Sequence, residues 1–354
     1  MARIAIAGAG LAGRLFAWAL ARAGHEVQVF DPAPGPAPLF DGQGAAAFTA
    51  AGMLSPLAEQ ECGGPEVAAL GWQSLALWPQ IVARLGPQPP RLCVEGSLLL
   101  AHGADRGAAA RALARMPGAQ ALAPEQLRAL EPALAPAGLL AWLLPGEGLI
   151  NPVQAMAALH TGAAGVRWHW EQKVDQVLPG LLHLRDGARV QADWCLDTRG
   201  LGSRPPLPLR GVRGETVWLQ LAGHGLRRPL RLLHPRYRGV YLVPRSEHEL
   251  LLGASEIESE DRSPVSLQTA VELMAAAHSV LPALAEARIT RLDRNLRPAL
   301  PDNLPFTHHE SGPDGGLIRL NGLYRHGWLL APALVQGLLA ASGLATLESS
   351  CNAL

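Results

Sequence analysis

The chain has 354 residues, a length that favours two domains over one compact core. Apolar residues make up 49% of it and charged residues 17%, so it can bury a sizeable core and is not intrinsically disordered. Thirty basic side chains balance thirty acidic ones, and this balance argues against nucleic acid or an anionic membrane surface as a partner.

A βαβ unit is predicted at the N-terminus. Residues Arg3–Ala7 form an apolar run typical of a buried parallel strand, and Leu11–Arg22 has the pattern of a helix that ends before Gly24. A second strand, Glu26–Phe30, follows at once. Strand, turn, helix and strand in this order indicate the start of a dinucleotide-binding fold.

The turn before the helix carries Gly8, Gly10 and Gly13 in the pattern Gly-x-Gly-x-x-Gly. Glycine allows a tight turn, lets the backbone approach a pyrophosphate at the helix N-terminus, and lets helix and strand pack closely. Asp31 ends the second strand, where a carboxylate can accept hydrogen bonds from ribose hydroxyls. These features predict an adenine dinucleotide with an unphosphorylated ribose, which is FAD or NAD rather than NADP.

The remaining chain mixes helices with strands and has no internal repeat. Helices are predicted at about 65–84, 106–115, Pro124–Leu130, from Pro152 after an Asn151 cap, and at 266–281. Strands are predicted at 91–101 (one strand or a hairpin), at 138–144, within 166–196, within 212–254 and at 287–296. A strand, a glycine-punctuated loop and a helix close the chain, which suggests a first domain that the chain leaves and re-enters.

The sequence offers no pattern for a metal site, a disulfide framework or a membrane span. The cysteines lie far apart without a Cys-x-x-Cys pair, and the histidines lack metal-ligand spacing; the cysteines are Cys62, Cys93, Cys195 and Cys351. No run reaches the ~18 apolar residues of a transmembrane helix, and glycines interrupt the N-terminal stretch that could pass for a signal peptide. We therefore expect a soluble, cytoplasmic protein without a metal.

Eight blocks along the chain carry a more specific signal. They are the N-terminal glycine motif with Asp31, AAAFTAAGMLSPLAE (45–59), GEGLINPVQAMAAL (146–159), VRGETVWL (212–219), VYLVPR (240–245), LLGASEIE (251–258), LRPALPDNLPF (296–306) and LYRHGWLLAPAL (323–334). In this order they resemble the FAD-dependent D-amino acid oxidase superfamily, and most of all its glycine oxidases of bacterial thiamine biosynthesis. The resemblance covers nearly the whole chain.

The resemblance implies an α/β fold. A Rossmann-like FAD-binding domain is expected to be discontinuous and to comprise residues 1–85, 140–205 and 297–354. A second, α+β substrate domain built on a mainly antiparallel sheet is expected to comprise residues 86–139 and 206–296.

The resemblance also implies which residues bind FAD. They are Gly8, Gly10, Leu11, Ala12, Gly13 and Asp31 at the nucleotide, Ala50, Ala51, Gly52 and Met53 along the flavin ring, Val174 at the adenine, Thr198 and Gly200 in a turn beside FAD, and Gly327 and Leu329 on a loop near the flavin's pyrimidine end. No cysteine falls in the blocks at 301–310 or 323–328, so we expect the FAD to be non-covalent.

Tyr241, Arg297 and Arg325 match the family's clamp for the substrate carboxylate. Arginine suits this task because its planar donors bind both carboxylate oxygens at once. The resemblance implies oxidative deamination of a small amino acid: glycine, an N-substituted glycine such as sarcosine, or a D-amino acid. Hydride would pass to flavin N5 and the electrons then to oxygen, giving hydrogen peroxide.

Alternatives and departures stay open at this point. The same fold serves D-amino acid dehydrogenases with a non-oxygen acceptor or a catalytically silent flavin-binding protein, whereas the C-terminal block argues against an NAD-dependent dehydrogenase. Arg199, Gly239 and Leu334 stand where the family has other residues, which puts the substrate in question. The sequence leaves the oligomeric state open, a homo-oligomer included.

Overall fold

The computed structural model describes residues 1–134, 138–237, 239–345 and 347, so Cys351 lies outside the described residues. Helices and strands are numbered along the chain. The helices are α1 (Leu11–Arg22), α2 (Ala46–Thr49), α3 (Pro56–Val82), α4 (Arg106–Leu113), α5 (Pro124–Leu130), α6 (Pro152–Gly162), α7 (Leu267–Val280) and α8 (Gly327–Ser342). The strands are β1 (Arg3–Ala7), β2 (Glu26–Phe30), β3 (Met53–Leu54), β4 (Leu92–Cys93), β5 (Ser97–His102), β6 (Gln120–Leu122), β7 (Leu139–Leu144), β8 (Gly148–Ile150), β9 (Arg167–His169), β10 (Val174–Leu178), β11 (Leu181–Leu184), β12 (Arg189–Gln191), β13 (Trp194–Asp197), β14 (Arg210–Gln220), β15 (Leu230–Leu232), β16 (Val240–Pro244), β17 (Glu249–Gly253), β18 (Arg288–Ala299), β19 (Phe306–Gly312) and β20 (Gly315–Asn321).

A six-stranded sheet contains the N-terminal βαβ unit, in the order β19-β20-β13-β1-β2-β9. All its pairings are parallel except the one between β19 and β20. The bounds predicted for the first strand, the first helix and the second strand are confirmed. Helix α1 is buried along most of its length against the core that α6 and α8 share, which is why its apolar stripe is so wide.

An eight-stranded sheet forms the second half of the molecule, in the order β18-β14-β17-β16-β15-β5-β7-β6. Its pairings are antiparallel apart from the one between β15 and β5, and the predicted fold class is confirmed. Helix α7 packs its buried side on this sheet. Strand β7 belongs to this sheet, so we propose that the domain boundary predicted at residue 140 lies after Leu144.

The structure differs from the sequence predictions in several details. The helix predicted from residue 65 begins at Pro56 and bends at Gly64, which has φ 75°. Residues 91–101 form neither one strand nor a hairpin, because β4 pairs with β8 while β5 joins the large sheet. Strand β19 was not predicted; five of its seven residues are exposed, so it lacks the apolar alternation that marks a buried strand.

Helix α6, which was predicted from the Asn151 cap, starts at Pro152 as expected. The Asn151 side chain accepts a hydrogen bond from the backbone N–H of Gln154, at 3.2 Å. In the part of the chain that the structure describes, no helix is both long and apolar enough to cross a membrane.

Candidate active site

A cavity of about 980 Å³ runs from the N-terminal glycine turn to the face of the eight-stranded sheet. This volume is at the upper end for small-molecule sites and suits a dinucleotide together with a small substrate. Every predicted site residue lines the cavity except Gly13. The members are Gly8, Gly10, Leu11, Ala12, Asp31, Ala50, Ala51, Gly52, Met53, Val174, Thr198, Gly200, Tyr241, Arg297, Arg325, Gly327 and Leu329. Their individual roles stay predictions.

Gly13 lies behind the turn rather than in the cavity. A Cβ atom there would overlap the carbonyl oxygen of Gly8, so only glycine lets helix and turn approach so closely. Gly8 has φ 102°, and its own Cβ would stand 2.7 Å from the carbonyl oxygen of Thr198. The turn therefore fits tightly between α1 and the end of β13, with the first N–H groups of α1 at the cavity.

Those N–H groups and Asp31 form a polar end suited to a nucleotide. Helix α1 begins at Leu11 without a side-chain cap, and the first N–H groups of a helix have no acceptor within it. Asp31 accepts backbone hydrogen bonds from Ala9 at 2.6 Å and from Ala33 at 2.8 Å. Each carboxylate oxygen retains a second lone pair for a ribose hydroxyl. This chemistry fits the adenosine and pyrophosphate of FAD.

Arg199 departs from the family pattern but strengthens this end of the cavity. Its guanidinium pairs with Asp197 at 2.7 Å and donates to the carbonyl oxygens of Val174 at 2.9 Å and Asp175 at 3.0 Å. The side chain is 8% exposed. It therefore ties the end of β13 to β10, where Val174 lines the cavity.

The segment at residues 50–53 crosses the middle of the cavity. Gly52 has φ 70°, and a Cβ there would overlap the carbonyl oxygen of Ile150. The Gly52 carbonyl in turn accepts from the N–H of Ile150 at 2.9 Å. The carbonyl of Ala50 accepts from the buried guanidinium of Arg245 at 3.0 Å. This segment is thus held from both sides.

Helix α8 begins at the same part of the cavity. Gly327 and Leu329 lie in its first turn, not on a loop as predicted, and the helix has no side-chain cap. A helix N-terminus favours negative charge, as does that of α1 at the other end. Leu334, the bulky departure from the family pattern, packs against Val67 and Leu330 between α8 and α3 and does not line the cavity.

The substrate end of the cavity is a row of residues across the eight-stranded sheet. Tyr241 on β16 is paired with Arg231 on β15 and with Gly253 on β17. The Tyr241 ring lies over Gly253, where a Cβ would stand 2.6 Å from its hydroxyl oxygen. Gly214 lies on β14, the next strand of the sheet. The guanidinium of Arg297, which is on β18, occupies the volume that a Cβ at Gly214 would fill. Two glycines thus make room for the two predicted clamp residues.

Arg297 and Arg325 differ in their partners. Arg297 donates to the carbonyl oxygens of Ser255 at 3.1 Å and Arg213 at 3.5 Å, and within the described residues it forms no ion pair. Arg325 instead pairs with Glu59 at 3.1 Å and with Glu256 at 3.0 Å. Of the two predicted clamp arginines, Arg297 is therefore the one whose charge no acidic side chain among the described residues compensates.

Glu59 is the centre of a buried charge network. Its Oε1 atom accepts from Arg231 at 3.0 Å and from Arg325 at 3.1 Å, and Nδ1 of His326 lies 3.5 Å from its Oε2. Burial raises the pKa of Glu59, but the charges of Arg325 and Arg231 lower it by more, so the pKa of Glu59 lies below its usual value. Glu59 is therefore an anion that holds two arginines at the cavity wall.

The neighbouring aromatic and histidine side chains stay neutral. Burial raises the pKa of the Tyr241 hydroxyl, against the opposing charges of four nearby arginines, so it remains a hydrogen-bond donor. Burial lowers the pKa of His326 to about 4, with Glu59 opposing, so the imidazole is neutral near pH 7.

Tyr324 and Glu256 complete the wall beside Arg325. Burial and the nearby Glu256 carboxylate raise the pKa of the Tyr324 hydroxyl, which therefore stays protonated. Tyr324 has φ 49°, a left-handed conformation that costs a non-glycine residue about 1–3 kcal/mol. Its backbone N–H is fixed by the carbonyl of Pro298 at 2.9 Å.

Gly239 leaves space for a neighbouring side chain, an effect that the sequence alone did not reveal. A Cβ at this position would stand 2.8 Å from Cγ of Arg231, so the Arg231 stem fills the space beside it. Arg231 is 6% exposed and lines the cavity. The absence of a side chain at 239 is thus what lets Arg231 reach Glu59.

Sequence reasoning missed Glu59, Arg231 and Glu256. Glu59 and Glu256 lie in blocks that carry the family resemblance, and that position is the signal that could have pointed to them. Arg231 had no such signal, because it is one of many arginines and its importance depends on a glycine eight residues away. Within the described residues, no cluster of histidine, cysteine or acidic side chains could hold a metal ion.

Comparisons with known proteins agree with this geometry. The family described as FAD dependent oxidoreductase (DAO) matches residues 3–341. A putative thiamine biosynthesis oxidoreductase, ThiO, of Rhizobium etli is 37% identical, over 94% of this chain and 94% of its own length. Glycine oxidase of Geobacillus kaustophilus is 29% identical over 96% and 91%. The crystal structure of glycine oxidase from that organism has a TM-score of 0.82 at 26% identity and covers 98% of this chain and 94% of its own.

Proposed function

The chain belongs to the FAD dependent oxidoreductase family, and we propose that it oxidises the carbon–nitrogen bond of a small amino acid. The observation that carries the proposal is Arg297. It lines the cavity together with Tyr241, whose pKa its charge lowers, and within the described residues it has no acidic partner. An uncompensated guanidinium at a cavity wall is costly unless a ligand supplies the anion.

The residues of the glycine turn, Asp31 and segment 50–53 fit FAD, and they would hold it along the cavity. When bound, FAD supplies the ring that accepts two electrons from the substrate. Arg297 binds the α-carboxylate, Tyr241 donates to it, and Arg325 stands beside them on its two carboxylate partners. These residues fix the α-carbon, and an error of about 1 Å in such positioning can cost ~10²-fold in rate.

The substrate we propose is glycine, an N-substituted glycine such as sarcosine, or a small D-amino acid. Two similar proteins named above are a glycine oxidase and a putative thiamine biosynthesis oxidoreductase, which supports glycine as the first compound to test. The amino acid loses a hydride from its α-carbon and a proton from nitrogen, and water hydrolyses the imine. Oxygen is the proposed final acceptor, giving hydrogen peroxide.

Flavin absorption tests this proposal. The purified protein is expected to be yellow, to keep its flavin on desalting and to release it on denaturation, because we expect non-covalent FAD. Anaerobic addition of glycine, sarcosine and D-alanine is expected to bleach the spectrum with at least one of them.

Two outcomes would redirect the proposal. Bleaching without peroxide in air would identify a dehydrogenase with another acceptor. A flavin that none of a wide set of amino acids bleaches would overturn amino acid oxidation and leave a catalytically silent flavin-binding protein.

A further inference from the structure

Two carboxylates line the substrate end of the cavity, and they differ in exposure. The Glu59 side chain is 9% exposed and is shared by Arg231 and Arg325. The Glu256 side chain is 30% exposed. Glu258 also lines the cavity, but it pairs with Arg210 and is 63% exposed. Glu256 is therefore the acid that is both held at the substrate end and accessible from the cavity.

Glu256 directly follows a residue that contacts Arg297. The carbonyl of Ser255, the preceding residue, accepts from Nη2 of Arg297 at 3.1 Å. Within the described residues, the cavity wall thus carries Arg297, which has no ion pair, and Glu256, an acid that follows the backbone partner of Arg297 in the chain. An α-amino acid carries the same two charges on either side of one carbon atom.

The Glu256 carboxylate has a fixed position. Nη1 of Arg325 donates to its Oε2 at 3.0 Å, and the carboxylate is close enough to the Tyr324 hydroxyl to raise the pKa of that group. A carboxylate has about four acceptor sites, so it can be held by Arg325 and still accept a hydrogen bond from a ligand. A fixed acceptor loses little entropy when a ligand binds.

We propose that Glu256 accepts a hydrogen bond from the amino group of the substrate, so that Arg297 and Glu256 together select α-amino acids over the matching hydroxy acids. The inference rests on the proposed function in one respect, the assignment of Arg297 to the α-carboxylate. Glu256 is then a specificity-determining residue, because the hydroxyl of a hydroxy acid carries no charge for it to match.

Glycine and glycolate test the proposal, since they differ only in the amine and hydroxyl groups. The dissociation constant of glycolate is measured from the shift of the flavin spectrum. That of glycine is measured anaerobically, from the concentration dependence of bleaching or, without bleaching, of the spectral shift. In Glu256→Gln we expect glycine to bind roughly 10- to 100-fold more weakly and glycolate to change less than twofold.

Three results would overturn the proposal. Equal weakening of both ligands would mean that Glu256 acts only by positioning Arg325. Tighter glycolate binding with unchanged glycine would mean that Glu256 competes with the ligand carboxylate. No change for either ligand would remove Glu256 from the site.

A matched control and a second readout separate this inference from the proposed function. Glu260→Gln removes an acid that pairs with Arg204 and is 45% exposed, and it should leave both constants unchanged. If no amino acid bleaches the flavin but Glu256→Gln still discriminates glycine from glycolate, the proposed oxidation fails and the binding inference stands. If glycine bleaches the flavin of wild type and of Glu256→Gln with the same concentration dependence, the proposed oxidation stands and the binding inference fails.

Discussion

The guanidinium of Arg297 lies against the backbone of Gly214 on the neighbouring strand, in the volume that a side chain at 214 would occupy. Gly214→Ala is therefore expected to displace Arg297 and to lower kcat/KM for carboxylate substrates by roughly 10- to 100-fold, with FAD retained. Steady-state kinetics and the flavin spectrum measure this. Gly312→Ala, where a Cβ would enter open space, is the control and should leave the kinetics unchanged.

Alanine substitution of each predicted clamp arginine should distinguish an effect on substrate binding from an effect on the stability of the fold. Arg297→Ala and Arg325→Ala are both expected to keep FAD and to lose reduction by carboxylate substrates. Only Arg325→Ala removes ion pairs with Glu59 and Glu256, so it should also lower the free energy of unfolding by about 1.5–3 kcal/mol. Unchanged anaerobic reduction in Arg325→Ala would remove that residue from the site.

Glu59→Gln should destabilise the protein at neutral pH. It leaves the buried Arg231 and the partly buried Arg325 without their shared anion, a loss of about 3–5 kcal/mol. Because the folded-state pKa of Glu59 lies below the usual 4.5, its stabilisation is complete above that pH and is lost as the pH falls further. Denaturant unfolding should therefore show a deficit at pH 7 that shrinks below about pH 4.5. A constant deficit would contradict the ionised state of Glu59.

The contribution of His326 to stability should change at a higher pH than that of Glu59. Its pKa is lowered from 6.5 to about 4, so below pH 6.5 the unfolded chain takes up a proton that the folded chain does not. Wild type should lose up to about 1.4 kcal/mol per pH unit from this residue between those two values, and His326→Gln should not. The exposed His309→Gln serves as the control in the same unfolding series.

Gly239→His should disturb Glu59 through Arg231. The new Cβ would stand 2.8 Å from Cγ of Arg231 and force its stem away, so we expect a loss of stability and a higher KM. In the Arg231→Met background the same substitution should cost less, since the ion pair is already gone. Equal costs in both backgrounds would show that 239 and 231 act independently.

Local signals predicted the nucleotide end of the molecule well. The glycine turn, Leu11–Arg22 and Glu26–Phe30 were predictable because neighbours in sequence determine them. The same holds for the Asn151 cap.

The substrate end depends on pairings between distant segments. Glu59 meets Arg231, Arg325 and His326 only in the folded chain, and residues 92–93 and 97–102 join different sheets although they are almost adjacent. The positions of Tyr241 and Arg297 were inferred from a family resemblance; the glycines that admit them were visible in the sequence, but nothing local indicated what would fill the space.

At the glycines beneath Arg297 and Tyr241, an alanine scan has the opposite effect to the usual one. At Arg297 or Tyr241 the substitution deletes atoms, whereas at Gly214 and Gly253 it adds one, and the expected damage comes from the addition. Engineering of this pocket should therefore leave Gly214 and Gly253 unchanged, because their lack of side chains determines which side chains fit above the sheet. New substrate shapes are better sought by changing the wall around Gly239 and Glu256 than by enlarging residues beneath the clamp.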